Sequence, residues 1–195
     1  MNTYSKIYDM WVIFMSNWAV IYSSMTGNTK SIAEKIAEAA NSADLFEVKS
    51  APTDLSSYEV VAIGYWLKRG GPDPLTTEFL SKVHDANVVL FQTHGTEPKS
   101  EHAITAFARA AYLLGDGCKI LGTFGCQGKV NPALIERRLK AGGDDPHVGG
   151  IERWKRAATH PDEEDFQAAV DFVASIKRKI QLIKKYEEQP QVPQQ

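Results

Sequence analysis

Three hydroxyl side chains, Ser24, Thr26 and Thr29, surround a glycine in the run Ser24-Met25-Thr26-Gly27-Asn28-Thr29. Hydroxyls donate to phosphate oxygens, and Gly27 lets the chain turn without a Cβ clash. Upstream, Val20, Ile21 and Tyr22 are strong strand formers. Downstream, Ile32, Ala33, Ile36, Ala37 and Ala40 recur at helical spacing. The loop therefore joins a strand to a helix N-terminus, where unpaired N–H groups and the positive dipole end bind a phosphate ester. A simpler reading has Thr26 or Asn28 merely capping the helix, but a cap does not need three spaced hydroxyls. Hydroxyls stand where a dinucleotide GxGxxG fingerprint has glycines, which favours one phosphate over a pyrophosphate.

The elements that must position this loop alternate along the chain. Residues 45–49 read as a short edge strand, and 59–65 (EVVAIGY) and 87–93 (NVVLFQT) as buried strands with apolar residues on both faces. A last strand is expected over 118–124. Helices are expected around Leu75, Phe79, Leu80 and Val83, over 100–114, over 132–140, and from about Asp162, where Glu163, Glu164 and Asp165 suit the dipole. Phe166, Val170, Val173, Ile176 and Ile180 trace the core-facing stripe of that final helix. Five strands alternating with helices predict an α/β, doubly wound, three-layer sandwich with a five-stranded parallel sheet of order 2-1-3-4-5 and helices on both faces. Ligands of such sheets bind beyond the carboxyl ends of the strands where the order switches, here between strands one and three. That rule selects the loops after residues 65, 93 and 124.

The run Ser24-Met25-Thr26-Gly27-Asn28-Thr29 resembles the (T/S)xTGxT phosphate loop of flavodoxin-like proteins, which implies that these six residues hold the ribityl phosphate of FMN. Tyr65 and Trp66 are then placed to stack on the flavin, the alternative being an aromatic pair in the core. Thr93, His94 and Gly95 would face the pyrimidine edge, with His94 either a proton donor near neutrality or simply solvated. Cys126 and Gln127 would touch the flavin rim or fill a turn. Around them, GxxxxGK[ST] fails because position 123 is Thr and position 130 is Val. The remaining histidines, His84, His102, His147 and His160, show no metal-ligand spacing. Gly64-Tyr65-Trp66, Gly71-Pro72-Asp73, Pro98-Lys99-Ser100-Glu101-His102-Ala103, Cys126-Gln127-Gly128-Lys129 and His160-Pro161-Asp162-Glu163-Glu164-Asp165 together resemble a bacterial flavodoxin-domain subfamily. That subfamily includes the flavodoxin-like component of bilirubin reduction, and the resemblance runs over roughly residues 17–174.

A chain of 195 residues with 43% hydrophobic content suits one well-packed domain. The expected organisation is an N-terminal extension at 1–15, holding the short apolar run MWVIFM, then a domain at 16–182 and a disordered tail at 183–195. The apolar run is far short of the ~18 residues that a membrane span needs, so no membrane partner is expected. A net charge of -2 argues against nucleic acid. Two cysteines, Cys118 and Cys126, with no secretory signal suit a reducing cytoplasm. An extended strand would hold them roughly 26 Å apart, beyond disulfide reach. Lys68, Arg69, Lys99 and Lys129 fall near the expected rim, which suits an anionic small molecule or an acidic partner, or is a solvated charged surface. The resemblance implies FMN as cofactor and an electron-transfer role toward a partner oxidoreductase or electron donor. The alternatives are a direct flavin reductase of a quinone-like molecule and a flavin-free partner subunit.

Overall fold

The β-branched runs found in the sequence form the centre of a twisted sheet in the computed structural model, which describes residues 18–97, 99–142 and 150–188. In chain order the strands are β1 (Trp18–Tyr22), β2 (Ala43–Glu47), β3 (Val60–Lys68), β4 (Gly71–Pro72), β5 (Asn87–His94) and β6 (Lys119–Gln127). The helices are α1 (Asn28–Ala40), α2 (Pro74–Leu80), α3 (Glu101–Tyr112), α4 (Pro132–Ala141), α5 (Ile151–Arg156) and α6 (Glu163–Glu187). The sheet path is β2-β1-β3-β5-β6, all parallel, so the predicted order holds. The two-residue β4 folds back antiparallel on the end of β3, pairing Leu67 with Pro72 and Lys68 with Gly71.

Strand alternation divides the core. Val20, Ala62, Val89 and Phe91 face one layer, where Ile32 and Ile36 of α1 and Val173 and Ile176 of α6 cover them. Ala19, Ile21, Ile63 and Leu90 face the other, under Leu80 of α2 and Ala110 of α3. Each such Ile, Leu or Val, once fully buried, contributes about 1.5–3 kcal/mol from the water its surface sheds.

Several expected boundaries move. Strand two is shifted to Ala43–Glu47, while β3, β5 and β6 run past residues 65, 93 and 124 to Lys68, His94 and Gln127. Trp66, His94, Cys126 and Gln127 are therefore strand residues and not loop residues. Ladder pairing carries them on: Trp66 pairs with Thr93, Thr93 with Cys126 and His94 with Gln127. Local composition does not reveal where pairing with a neighbour ends. α6 continues through Glu187, beyond the expected boundary at 182. The expectations for 1–15, Pro98, His147 and the tail from 189 lie outside the described residues. No helix among the described residues is long and apolar enough to cross a membrane. Both cysteines are free.

The predicted N-terminus of the last helix is closed by a capping box. Asp162 accepts from the amides of Glu164 (3.0 Å) and Asp165 (3.1 Å), and the Asp162 amide donates to Asp165 Oδ2 (3.0 Å). His160 Nδ1 lies 2.6 Å from the same Oδ2, and its carbonyl accepts from the Lys129 amide at 2.9 Å. The Asp165 carboxylate holds the imidazole above its ordinary value of 6.5, against a weaker lowering by burial. A raised histidine stabilises the fold below its unfolded value, and that contribution is lost as pH climbs through the folded value. His160→Gln should therefore be less stable than the parent near about pH 6, with the gap closing as pH rises above about 6.5. Urea midpoints measured across this range check it, and a gap constant with pH would contradict it.

Gly64 lies where β3 passes the Phe91 ring, and a Cβ there would come within 2.1 Å of two ring carbons. Phe91 is fully buried and cannot step aside. Gly64→Ala should cost about 1–3 kcal/mol, as overpacking does. A urea unfolding midpoint unchanged from the parent would contradict this.

Candidate functional site

β1 leaves the sheet at Ser23, whose amide donates to the Gly64 carbonyl (2.9 Å) and whose hydroxyl donates to Asp73 Oδ1 (2.9 Å). Asp73 is buried and caps α2, accepting from the amides of Leu75 and Thr76 and from the Thr76 hydroxyl. The chain then turns through Gly27, in the left-handed region at φ 89°, and enters α1. No side-chain hydrogen bond caps α1 or the short α5, whereas α2, α3, α4 and α6 are each capped by a side chain. The first amides of α1 are thus left to an outside acceptor.

The hydroxyls of the loop divide their work. Ser24 Oγ accepts from the Gly27 amide at 3.1 Å and holds the turn. Thr26 is exposed, its Oγ1 accepting from Asn28 Nδ2 at 3.0 Å. The same Nδ2 donates to the Lys129 carbonyl (2.9 Å), tying the loop to the chain after β6. Thr29 is buried and its hydroxyl shares a hydrogen bond with Thr93 Oγ1 at 2.9 Å. Thr29 therefore locks α1 to the end of β5, a role that loop spacing alone did not suggest.

Beyond this loop opens a cavity of about 510 Å³. Met25, Thr26 and Asn28 form one wall, Trp66 and Leu67 a second, and Thr93, His94, Gly95 and Thr96 the floor. Ser24, Gly27 and Thr29 shape the loop without lining the cavity. Trp66 and Tyr65 part company because neighbours on a strand face opposite sides. Trp66 lines the cavity, while Tyr65 is fully buried, edge-on to Phe107 and donating to the Ala106 carbonyl at 3.4 Å. The expected place of Tyr65 on the ligand is thus corrected to the core beneath α3, where burial pushes its phenol up.

Cys126 and Gln127 also stand behind the cavity instead of lining it. Cys126 is 4% exposed in the core, and burial raises its thiol, so it stays protonated. Gln127 Nε2 donates to the Thr96 carbonyl at 3.0 Å, and His94 Nδ1 reaches the same oxygen at 3.2 Å. A carbonyl only accepts, so Nδ1 carries the proton and Nε2 of the neutral ring is an acceptor. Burial, and to a lesser degree nearby His102, hold His94 below its ordinary value of 6.5, partly opposed by the Thr96 carbonyl. His94 is buried, which corrects the expectation of a solvated histidine, and its burial favours the neutral ring.

The far wall was missed in the sequence. Val130, Asn131 and Leu134 come from the turn into α4, and Arg153 and Trp154 from α5. A Cβ on Gly95 would lie 2.3 Å from Val130 Cγ2 and 3.5 Å from the Trp154 ring, so the absent side chain lets this wall close on the floor. Six charged and apolar residues, IERWKR, are too short a helix for periodicity to reveal. Their one signal was a tryptophan among charges. Arg153, Lys129 and His102 line the cavity, and the buried Nε of Arg153 has no hydrogen-bond partner.

Comparison with known proteins agrees with this geometry. The flavodoxin domain family model matches residues 19–174. The flavodoxin-like domain-containing protein BilS of Clostridioides difficile is 29% identical over 172 residues, covering 84% of this chain and 98% of that protein. BilS of Clostridium symbiosum is 26% identical, covering 81% and 94%. Among solved structures, oxidised flavodoxin 2 from Bacillus cereus superposes with a TM-score of 0.55 at 18% identity, covering 84% of this chain and 99% of that one. The cofactor of this family is FMN, and the residues present fit it: an uncapped helix N-terminus and the hydroxyls of Ser24 and Thr26, which accept within the loop and still have a proton to donate, suit a phosphate monoester, and the tryptophan-walled cavity suits a flat ring. With its model matched over most of the chain, from β1 into α6, the protein belongs to the flavodoxin domain family.

Proposed function

We propose that this flavoprotein supplies electrons to a partner oxidoreductase, and that the reaction served is reduction of a tetrapyrrole such as bilirubin. The observation that carries the electron-transfer reading is the uncapped, hydroxyl-bearing N-terminus of α1 opening directly onto a cavity walled by Trp66 and Trp154. The tetrapyrrole reading draws on the motif resemblance and on the relatives named BilS. When bound, FMN supplies reversible uptake of one or two electrons. The chain's own part is binding, orientation and exclusion of water. The first amides of α1, with Ser24 and Thr26, would hold the phosphate. Trp66 and Trp154 would cover the ring, and the His94–Thr96 floor would offer backbone groups together with the acceptor Nε2 of His94.

The residues present need move no proton. Burial favours the neutral ring of His94, Cys126 is a buried thiol, and Tyr65 lies away from the cavity. Lys129 and Arg153 line the cavity and favour an anionic ligand there. The purified protein should retain flavin absorption bands after FMN is added and the sample desalted. A protein that stays colourless would favour the flavin-free subunit reading. Turnover of a quinone with pyridine nucleotide alone would instead identify a direct reductase. Thr26→Ala should weaken FMN binding by about 1–3 kcal/mol through loss of one donor to a charged group. Titration by flavin fluorescence checks this, and an unchanged dissociation constant would remove Thr26 from the phosphate site.

A further inference from the structure

We propose that the groove between the β3–β4 hairpin and α3 is the docking surface for an acidic face of the partner redox protein, an inference that rests on the electron-carrier reading above. Lys68, Arg69 and Arg109 line this groove with Thr77, Tyr112 and Leu113, and no carboxylate lines it among the described residues. Three cations together stand out on a chain whose net charge is -2. Elsewhere on the surface, some lysines are paired with a nearby glutamate, as Lys35 is with Glu38 (2.8 Å) and Lys82 with Glu78 (2.7 Å). Such a patch accelerates and orients the approach of an opposite charge.

The patch is also held rigid. The hairpin tip turns through Arg69 (φ 53°) and Gly70 (φ 78°), both in the left-handed region, which costs energy at a residue other than glycine. Arg109 Nη1 pins that tip by donating to the carbonyls of Arg69 (3.2 Å) and Gly70 (3.0 Å). Lys68 and Arg69 are thus presented from a fixed backbone, so little ordering entropy is lost on association. Tyr112 beside them is 90% exposed. A bare tyrosine among arginines is the composition of an interface anchor.

Position completes the case. Lys68 Nζ sits 5.8 Å from the centre of the Trp66 ring, and Trp66 also lines the cofactor cavity. His102, which also lines that cavity, packs against Gly70 at the hairpin tip. A protein seated in the groove would therefore lie one tryptophan away from the cavity.

The test uses the full chain supplied with FMN and two probes of opposite charge, an acidic [2Fe–2S] ferredoxin and basic cytochrome c, with binding read by surface plasmon resonance. The ferredoxin should bind at low salt and weaken steeply as salt screens the contact. Lys68→Glu with Arg69→Glu should weaken it by about tenfold or more. Lys82→Glu with Lys119→Glu makes the same charge change at the opposite end of the sheet and should alter binding by less than about twofold. If the hairpin variant fails to fold, Lys68→Gln with Arg69→Gln carries the same test. Absence of ferredoxin binding, equal losses from the two double variants, or preference for cytochrome c would each overturn the docking surface. Flavin retention is read separately from absorbance, so a colourless protein strikes the electron-carrier reading while the binding data judge the groove.

Discussion

Ser23 is the point on which the carboxyl edge of the sheet hangs. Its amide extends the β1–β3 pairing to Gly64, and its hydroxyl donates to the buried carboxylate of Asp73. One residue thereby sets where β1 stops, where the phosphate loop begins and where α2 starts after the hairpin. A buried carboxylate is tolerated because four donors satisfy it: the hydroxyls of Ser23 and Thr76 and the amides of Leu75 and Thr76. The loop after β1 and the hairpin after β3 are consequently not independent surface loops. They are two sides of one hydrogen-bonded corner, placed where the strand order switches.

A second buried pair, Thr29 with Thr93, does for α1 and β5 what Ser23 and Asp73 do for β1 and α2. Between these two ties the helix N-terminus is aimed and fixed, and its uncapped amides face outward. A third tie is the Thr96 carbonyl, which accepts from both His94 and Gln127 and so stiffens the floor. Residues that look like ligand contacts in a linear reading thus divide into those that touch the cavity and those that hold the ones that do. Preorganisation of this kind matters for an electron carrier, since little rearrangement is then needed around a bound ring whose charge changes.

Charge is distributed in keeping with this construction. The cavity carries Lys129 and Arg153, and the neighbouring groove carries Lys68, Arg69 and Arg109. Lys30, Lys35, Lys140 and Lys155 on the helices sit beside glutamates three or four residues away, the ordinary arrangement of a solvated helix face. Positive side chains thus stand beside the cofactor cavity and in the groove next to it, at the carboxyl end of the sheet.

Sequence periodicity and composition were enough for the alternation of strands and helices, the loop between β1 and α1 and the capped start of the last helix, because each is written in local spacing, while the 2-1-3-4-5 order came with the doubly wound class that the alternation implies. Val20, Ile21 and Tyr22 cannot avoid a buried strand, and Asp162 followed by three acids cannot avoid a helix start. Tertiary structure alone decided the rest. Whether Tyr65 or Trp66 met the cavity depended on the parity of β3 against its neighbours, and His94 became a buried neutral ring only because β5 and β6 stayed paired to their ends. The wall from α4 and α5 comes from residues far along the chain that carry no periodic signal, and it closes on the floor because Gly95 leaves room for Val130 and Trp154. Local propensity acts over a few residues, whereas these outcomes were set by which segments meet in space.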